Sequence, residues 1–184
     1  MCIRDRVWCA REIVGKEPFA LLLPDMLHCA ARPCLAEMIE AYSEHGGNHI
    51  AVSPVPEDQT HLYGIVGVED ARAKVSAVTS MVEKPPPGKA PSNLHITGRY
   101  ILQPEIFPLL EKAERGAGGE IQVTDAMIRL ATVQPFFAVR FDGTIYDCGS
   151  KIGFLAANVA YGLARQDLAP QLRRELARLL SQGP

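Results

Sequence analysis

Three apolar runs in this 184-residue chain end on charged side chains: Asp25 in "LLLPDM", the adjacent Glu83 and Lys84 in "MVEKP", and Asp147 in "IYDCGS". Carboxylates on two different strands can hold one Mg2+ where the strands converge. A hard divalent ion accepts one or two carboxylates and fills its other octahedral positions with water and substrate phosphate. Each feature also has a plainer reading. An aspartate just after a strand is most often a turn former, and an exposed Glu–Lys pair is a solvated edge worth less than about 1 kcal/mol. Successive strand residues point to opposite faces, so Glu83 and Lys84 line one pocket only if the strand ends there. The prolines Pro85 to Pro87 end it, because they cannot continue a ladder. On the residues alone both readings stay open.

Other candidates are weaker. Cys148 follows Asp147, but no histidine is placed to form a dyad with it, so a nucleophilic thiol is not supported. The histidines His28, His45, His49, His61 and His95 show neither HExxH nor clustered ligand spacing and read as surface or packing residues. Gly64 and Gly98 interrupt strand patterns, where a bulge is the commoner cause and close approach of a ligand the rarer one. "ERGAGGE" lacks the lysine and hydroxyl residue of a P-loop and reads as a loop that ends a helix.

These residues need elements to position them. "PFALLLPDML" (Pro18 to Leu27) reads as one buried strand with a carboxylate at its end, the place where ligands gather in open α/β sheets. "CLAEMIEAYSEHGG" carries Leu35, Met38, Ile39 and Tyr42 at helical spacing and stops at Gly46 and Gly47. "NHIAVSPVP" is a second buried strand, and the strand–helix–strand order predicts a parallel pair. "YGIVGVED" and "KVSAVTSMVEKP" read as two strands joined by a turn, and "LHITGRYIL" as a third after the loop Pro85 to Asn93. "PEIFPLLEKAERGAGG" predicts a short helix. A further helix starts near Thr124 or Asp125, either of which can cap it, and carries Met127, Ile128 and Leu130. "PFFAVRFDGTIYDCGS" predicts two strands joined by a hairpin turn at Asp142-Gly143. The tail predicts two helices, the first capped by Ser150 and the second with Leu172, Leu176 and Leu179 on one face.

Length and composition, with 47% hydrophobic and 22% charged residues, predict one α/β domain with a proper core. A net charge of -2 without a basic run argues against a nucleic-acid partner. No apolar run approaches the roughly 20 residues that cross a bilayer, and the first residues alternate charge with apolar side chains, which predicts no membrane association and a cytoplasmic location. The five cysteines are odd in number and never form CxxC, so they are expected to be reduced and mostly buried.

Taken in order, "PFALLLPDML", "YGIV", "MVEKPPPGKAPSNLHITGRYIL", "GAGGEIQVTDAM" and "YDCGSKIGFLAANVAYGL" resemble the bacterial UTP–glucose-1-phosphate uridylyltransferases, or UDP-glucose pyrophosphorylases. The resemblance is dense from about Val7 to Leu163 and rests on "EKP", "PSNL", "GRY", "EIQ-TDA" and "DCG-K-G" occurring together. It implies a Rossmann-like α/β/α sugar nucleotidyltransferase core with a β-rich sugar-binding insertion. It also implies a Mg2+-dependent reaction of UTP with glucose 1-phosphate that yields UDP-glucose and pyrophosphate. By position in the motifs, Asp25 corresponds to the metal-binding aspartate and Asp147 to the second carboxylate near metal and phosphates. Lys84 corresponds to the lysine on the phosphate of glucose 1-phosphate, Glu83 to the glutamate on glucose hydroxyls, and Gly64 to a glycine whose backbone meets the sugar. Gly98 and Glu120 are further candidates for the sugar site.

Members of the family open with a strand and a glycine-rich loop bearing arginine and lysine, and a glutamine- and glycine-containing segment follows. No counterpart precedes Val7, so residues 1–6 are expected to lie outside the family domain, 7–184 to form a single partial domain, and the chain to be N-terminally truncated with impaired activity. Family members are often dimers or tetramers, which leaves a homo-oligomer open. Two alternatives stand beside this reading: a non-catalytic sugar-phosphate-binding or interaction module, and a related transferase using dTTP or CTP.

Overall fold

The structure is a computed structural model and describes residues 3–111 and 123–182. The chain divides into two compact units, Met1–Leu23 with Ala30–Gly143, and Pro24–Cys29 with Thr144–Pro184.

The larger unit is built on a six-stranded sheet. Its strands are β1 (Phe19–Leu22), β3 (Asn48–Pro54), β4 (Gly64–Val68), β5 (Val75–Glu83), β6 (Leu94–Leu102) and β7 (Phe136–Arg140), in the order β1-β6-β3-β7-β5-β4. Between adjacent strands only β3 and β7 run parallel. β3 is central and reads "NHIAVSP"; its first five residues are buried, as expected of a strand covered on both faces. Helices α1 (Ile3–Cys9), α2 (Arg11–Val14), α3 (Cys34–His45), α4 (Ile106–Glu111) and α5 (Val123–Leu130) complete this unit, with a 3-10 turn at Glu57–Leu62. Its core joins Ile50, Val52, Val66, Leu94 and Leu102 of the sheet to Ile106, Leu110, Met127 and Leu130 of α4 and α5.

The helices follow from local sequence. Pro33 sits in extended backbone at the start of α3, and Gly46 turns to φ 63° at its end, a conformation that costs glycine little. The buried stripe of α3 is Cys34, Met38 and Ala41, whereas Ile39 is 51% exposed. The expected Leu35/Ile39 face is thus rotated by part of a turn.

The smaller unit pairs β2 (Met26–Cys29) with β8 (Thr144–Asp147) antiparallel, and adds α6 (Lys151–Ala164) and α7 (Ala169–Gln182). Ser150 caps α6 as expected, its Oγ accepting from the Gly153 amide at 3.0 Å. Helices α6 and α7 meet closely at Gly162, where an added Cβ would lie 2.6 Å from Leu172 Cδ2.

Several sequence expectations are corrected. Pro18 to Leu27 is two strands in two sheets, broken at Leu23-Pro24-Asp25. β1 lies at the sheet edge with alternate residues exposed, because only β6 pairs with it. β1 and β3 are not neighbours, since β6 lies between them and runs antiparallel to both. Asp142-Gly143 does not make a hairpin. The chain continues the β3–β7 pairing through Phe141 N–H to Val52 O at 2.8 Å, and Thr144–Asp147 then joins β2. Thr124 and Asp125 lie inside α5 and do not cap it. Ile128 is 36% exposed, and Leu179, on the same face of α7 as Leu172 and Leu176, is 53% exposed. Of the four described cysteines only Cys34 is buried, with its thiol pushed up to about 11 by burial; Cys9 and Cys29 are exposed. Among the described residues no helix is long and apolar enough to cross a membrane.

His49 is fully buried on β3, stacked on Phe137 at 5.3 Å between ring centroids and edge-on to Tyr42 at 5.8 Å. Burial pushes its imidazole down to about 4, with the neighbouring His45 a lesser cause. Burial also lowers His95, against the opposing effect of its hydrogen bond to Ser53 O. Both rings are neutral in the fold, while the unfolded chain takes up their protons near pH 6.5. Stability is therefore full above pH 6.5 and falls as pH drops toward 4. His49 alone is expected to remove roughly 2 kcal/mol between pH 7.5 and pH 5. Urea unfolding at the two pH values should show a smaller loss in His49→Phe than in the parent; equal losses would contradict this account.

Candidate active site

The expected site residues fall into two groups, one in each unit. In the larger unit β4 and β5 pair with Gly64 directly opposite Glu83. The ladder then takes one more step, the Lys84 amide donating to Tyr63 O at 3.0 Å, and ends. Lys84 is the one non-glycine residue with positive φ among those described, at 47°. A left-handed turn at an L-residue costs roughly 1–2 kcal/mol and persists where surrounding structure imposes it. Here the Tyr63 carbonyl fixes one side, and the following Pro85 is buried. The turn breaks the alternation of the strand at the two charged residues. Glu83 is half-buried and Lys84 exposed.

Glu83 is held in place. Its Oε2 accepts from the Thr124 hydroxyl of α5 at 2.8 Å. A Cβ at Gly64 would lie 2.9 Å from the same oxygen and 3.2 Å from Ile96 Cδ1, so glycine is required there if the carboxylate is to keep this position. Gly98, on β6 with Ile96, has φ 75° and sits where the β3–β6 register shifts, which makes it a bulge residue. Its carbonyl accepts from Leu23 N–H at 2.9 Å and from the Arg99 guanidinium at 3.1 Å. The "PSN" of the proline-rich loop is tied back to the sheet. Ser92 Oγ donates to Val66 O at 2.6 Å and accepts from Leu94 N–H at 2.9 Å, while Asn93 O accepts from Val55 N–H at 2.9 Å. Glu120 lies outside the described residues.

In the smaller unit Asp25 and Asp147 approach one another across the β2–β8 ladder, where Met26 pairs with Asp147. The Cys148 amide donates to Asp25 O at 2.8 Å, and the Gly149 amide donates to Asp147 Oδ1 at 2.9 Å. A Cβ on Gly149 would lie 3.0 Å from Asp147 Oδ1 and 3.4 Å from Asp25 Oδ2, so both carboxylates reach the same point above this glycine. Gly153 explains the second glycine of "DCGSKIG". Its Cβ would lie 1.9 Å from Asp147 O, so only glycine lets the first turn of α6 sit against the strand end. Among the described residues no three His, Cys, Asp or Glu side chains gather as a metal cluster; the carboxylates come as a pair.

Sequence reasoning missed Thr124. It lies in the quoted "TDA" segment, but a hydroxyl near a helix start was read as a cap, and only the packing of α5 against β5 reveals its partner.

The sheet and these strand ends belong to a nucleotidyl-transferring α/β class: the family model described as nucleotidyl transferase matches residues 5–162, and the chain belongs to that family. Its more particular likeness is to UTP–glucose-1-phosphate uridylyltransferases. The one from Bacillus subtilis (strain 168) is 45% identical over 166 residues, covering 90% of this chain and 57% of the relative. The one from Komagataeibacter xylinus is 46% identical over 146 residues, covering 79% of this chain and 51% of the relative. Among solved structures, a UTP-bound UGPase from Acinetobacter baumannii superposes with a TM-score of 0.88 at 37% identity, covering 97% of this chain and 62% of that one. A UDP-glucose pyrophosphorylase complexed with UDP-glucose superposes at 0.83 with 34% identity, covering 89% and 62%. The α/β nucleotidyltransferase fold expected from the sequence is the fold of these structures. The chain spans a little over half the length of the curated relatives it matches.

The left-handed turn at Lys84 makes a testable demand on side-chain shape. Lys84→Gly is expected to leave stability unreduced, whereas the β-branched Lys84→Val should lose about 1–2 kcal/mol in urea unfolding. A Lys84→Val protein as stable as the parent would show that the turn is not strained.

Proposed function

We propose that the chain carries the glucose 1-phosphate site of a UTP–glucose-1-phosphate uridylyltransferase. The observation that carries this reading is the end of β5, where a carboxylate held opposite a glycine is followed at once by an exposed lysine on a left-handed turn. A sugar phosphate offers hydroxyl donors at one end and an anion at the other. Glu83 accepts from glucose hydroxyls, and Lys84 neutralises the phosphate. Gly64 leaves room for that carboxylate and brings its own backbone beside the sugar, and Gly98 contributes to the surroundings. The family membership and the names of the relatives support the same substrate.

The chemistry asks little covalent work of the protein. A phosphate oxygen of glucose 1-phosphate, already an anion, attacks the α-phosphorus of UTP in line. The new P–O bond forms as the bond to pyrophosphate breaks, and no general base is needed. Catalysis then rests on holding the nucleophile in line and on neutralising charge, both of which Lys84 serves.

Nucleotidyltransferases generally use Mg2+, and Asp25 and Asp147 are the residues that would hold it. Two carboxylates converging on one point suit an ion that takes one or two carboxylates and completes its shell with water and phosphate. When bound, such an ion neutralises charge on the reacting phosphates.

The test is a chimera in which these residues replace the matching segment of the Bacillus subtilis relative. The folded chimera should form UDP-glucose from UTP, glucose 1-phosphate and Mg2+, and Lys84→Ala within it should lose roughly 100-fold in rate. A folded chimera without turnover, or one indifferent to Lys84→Ala, would contradict the reading. In the same assay Asp147→Asn should raise the Mg2+ concentration needed for half-maximal rate about tenfold or more. An unchanged Mg2+ requirement would remove Asp147 from the metal site.

A further inference from the structure

Thr124 is 7% exposed and donates its hydroxyl hydrogen to Glu83 Oε2 at 2.8 Å. The same oxygen faces Gly64, at 2.9 Å from the place a Cβ would occupy, with Ile96 beside it. Oε2 is therefore held by the Thr124 hydroxyl, in the space that the missing side chain of Gly64 leaves open. With Oε2 tied to Thr124, rotation about the terminal bond of Glu83 breaks that hydrogen bond, which favours one orientation of Oε1.

We propose that Thr124 is a positioning residue for sugar recognition: its hydroxyl locks the Glu83 carboxylate so that Oε1 accepts from one particular hydroxyl of the hexose. The inference rests on the assignment of Glu83 to the sugar. A carboxylate free to turn can follow a hydroxyl to either configuration, whereas a locked one rejects the epimer by leaving a buried donor or acceptor unpaired. Thr124 thus sets selectivity among hexose 1-phosphates, and α5 becomes part of the sugar site without contacting the sugar. A staple that merely joins α5 to β5 would have no such effect on ligand choice.

Isothermal titration with glucose 1-phosphate, galactose 1-phosphate, mannose 1-phosphate and inorganic phosphate separates these cases, with melting temperature measured alongside. Thr124→Val, which keeps the shape and removes the hydroxyl, should weaken glucose 1-phosphate about tenfold, a shift of about 1.4 kcal/mol. It should narrow the preference for glucose over its epimers and leave inorganic phosphate binding unchanged, because phosphate meets Lys84 alone. Thr124→Ser, which keeps the hydroxyl, should stay within about twofold of the parent in every titration. Thr124→Val with parental affinity and selectivity overturns the proposal, and so does a loss that falls equally on phosphate and on all three sugars. Glu83→Gln is the control for the underlying assignment. If it binds glucose 1-phosphate as the parent does, the sugar role of Glu83 and the Thr124 proposal fall together. If Glu83→Gln weakens the sugar and Thr124→Val does not, only the Thr124 proposal falls.

Discussion

One backbone hydrogen bond, Lys84 N–H to Tyr63 O, ends the β4–β5 ladder, and the geometry of the proposed sugar-phosphate site depends on it. The bond sits on the last paired step, and the next residues are prolines that offer no further donors. Lys84 therefore cannot continue as strand and turns to positive φ. In a regular strand Glu83 and Lys84 would face opposite sides of the sheet. Once the strand ends between them, the carboxylate turns inward to Thr124 while the ammonium stays in solvent.

The glycines complete this arrangement by what they lack. Gly64 makes room for Glu83 Oε2, and Gly149 and Gly153 do comparable work for the carboxylate pair. Gly149 leaves open the point that Asp25 and Asp147 both reach, and Gly153 lets α6 begin against the carbonyl of Asp147. In each unit the charged side chain was the visible signal, and a neighbouring glycine supplied the space in which it can act.

Much of this was legible in the sequence, and the reasons differ by residue. The end of β5 was readable because prolines terminate strands locally, and Ser150 was readable as a cap because capping is a matter of three residues. The β4–β5 hairpin followed from two short apolar runs and a polar turn. Strand order was not readable, because pairing joins distant segments: Asp142-Gly143 carries a hairpin signal, yet β7 is claimed by β3 and β5 and β8 by β2. The apolar run before Asp25 looked like one buried strand because burial on an edge strand and on a central strand leave the same composition. Thr124 was hidden for a related reason. Its local context offers a cap, and the competing partner lies 41 residues away. The pairing of Asp25 with Asp147 was suggested by their place in family motifs, and the β2–β8 ladder is what brings them together.

In the proposed function, the Glu83–Lys84 turn holds glucose 1-phosphate with a carboxylate for which glycine at position 64 leaves the room. The most direct measurement is calorimetric titration of glucose 1-phosphate into the parent chain and into Gly64→Ala, with melting curves on both. The added methyl meets the end of a flexible side chain, so the fold should keep its melting temperature while the carboxylate is displaced. The parent should bind saturably and Gly64→Ala at least about tenfold more weakly, the loss of roughly one charge-assisted hydrogen bond. Equal affinity in the two proteins, with both folded, would contradict it.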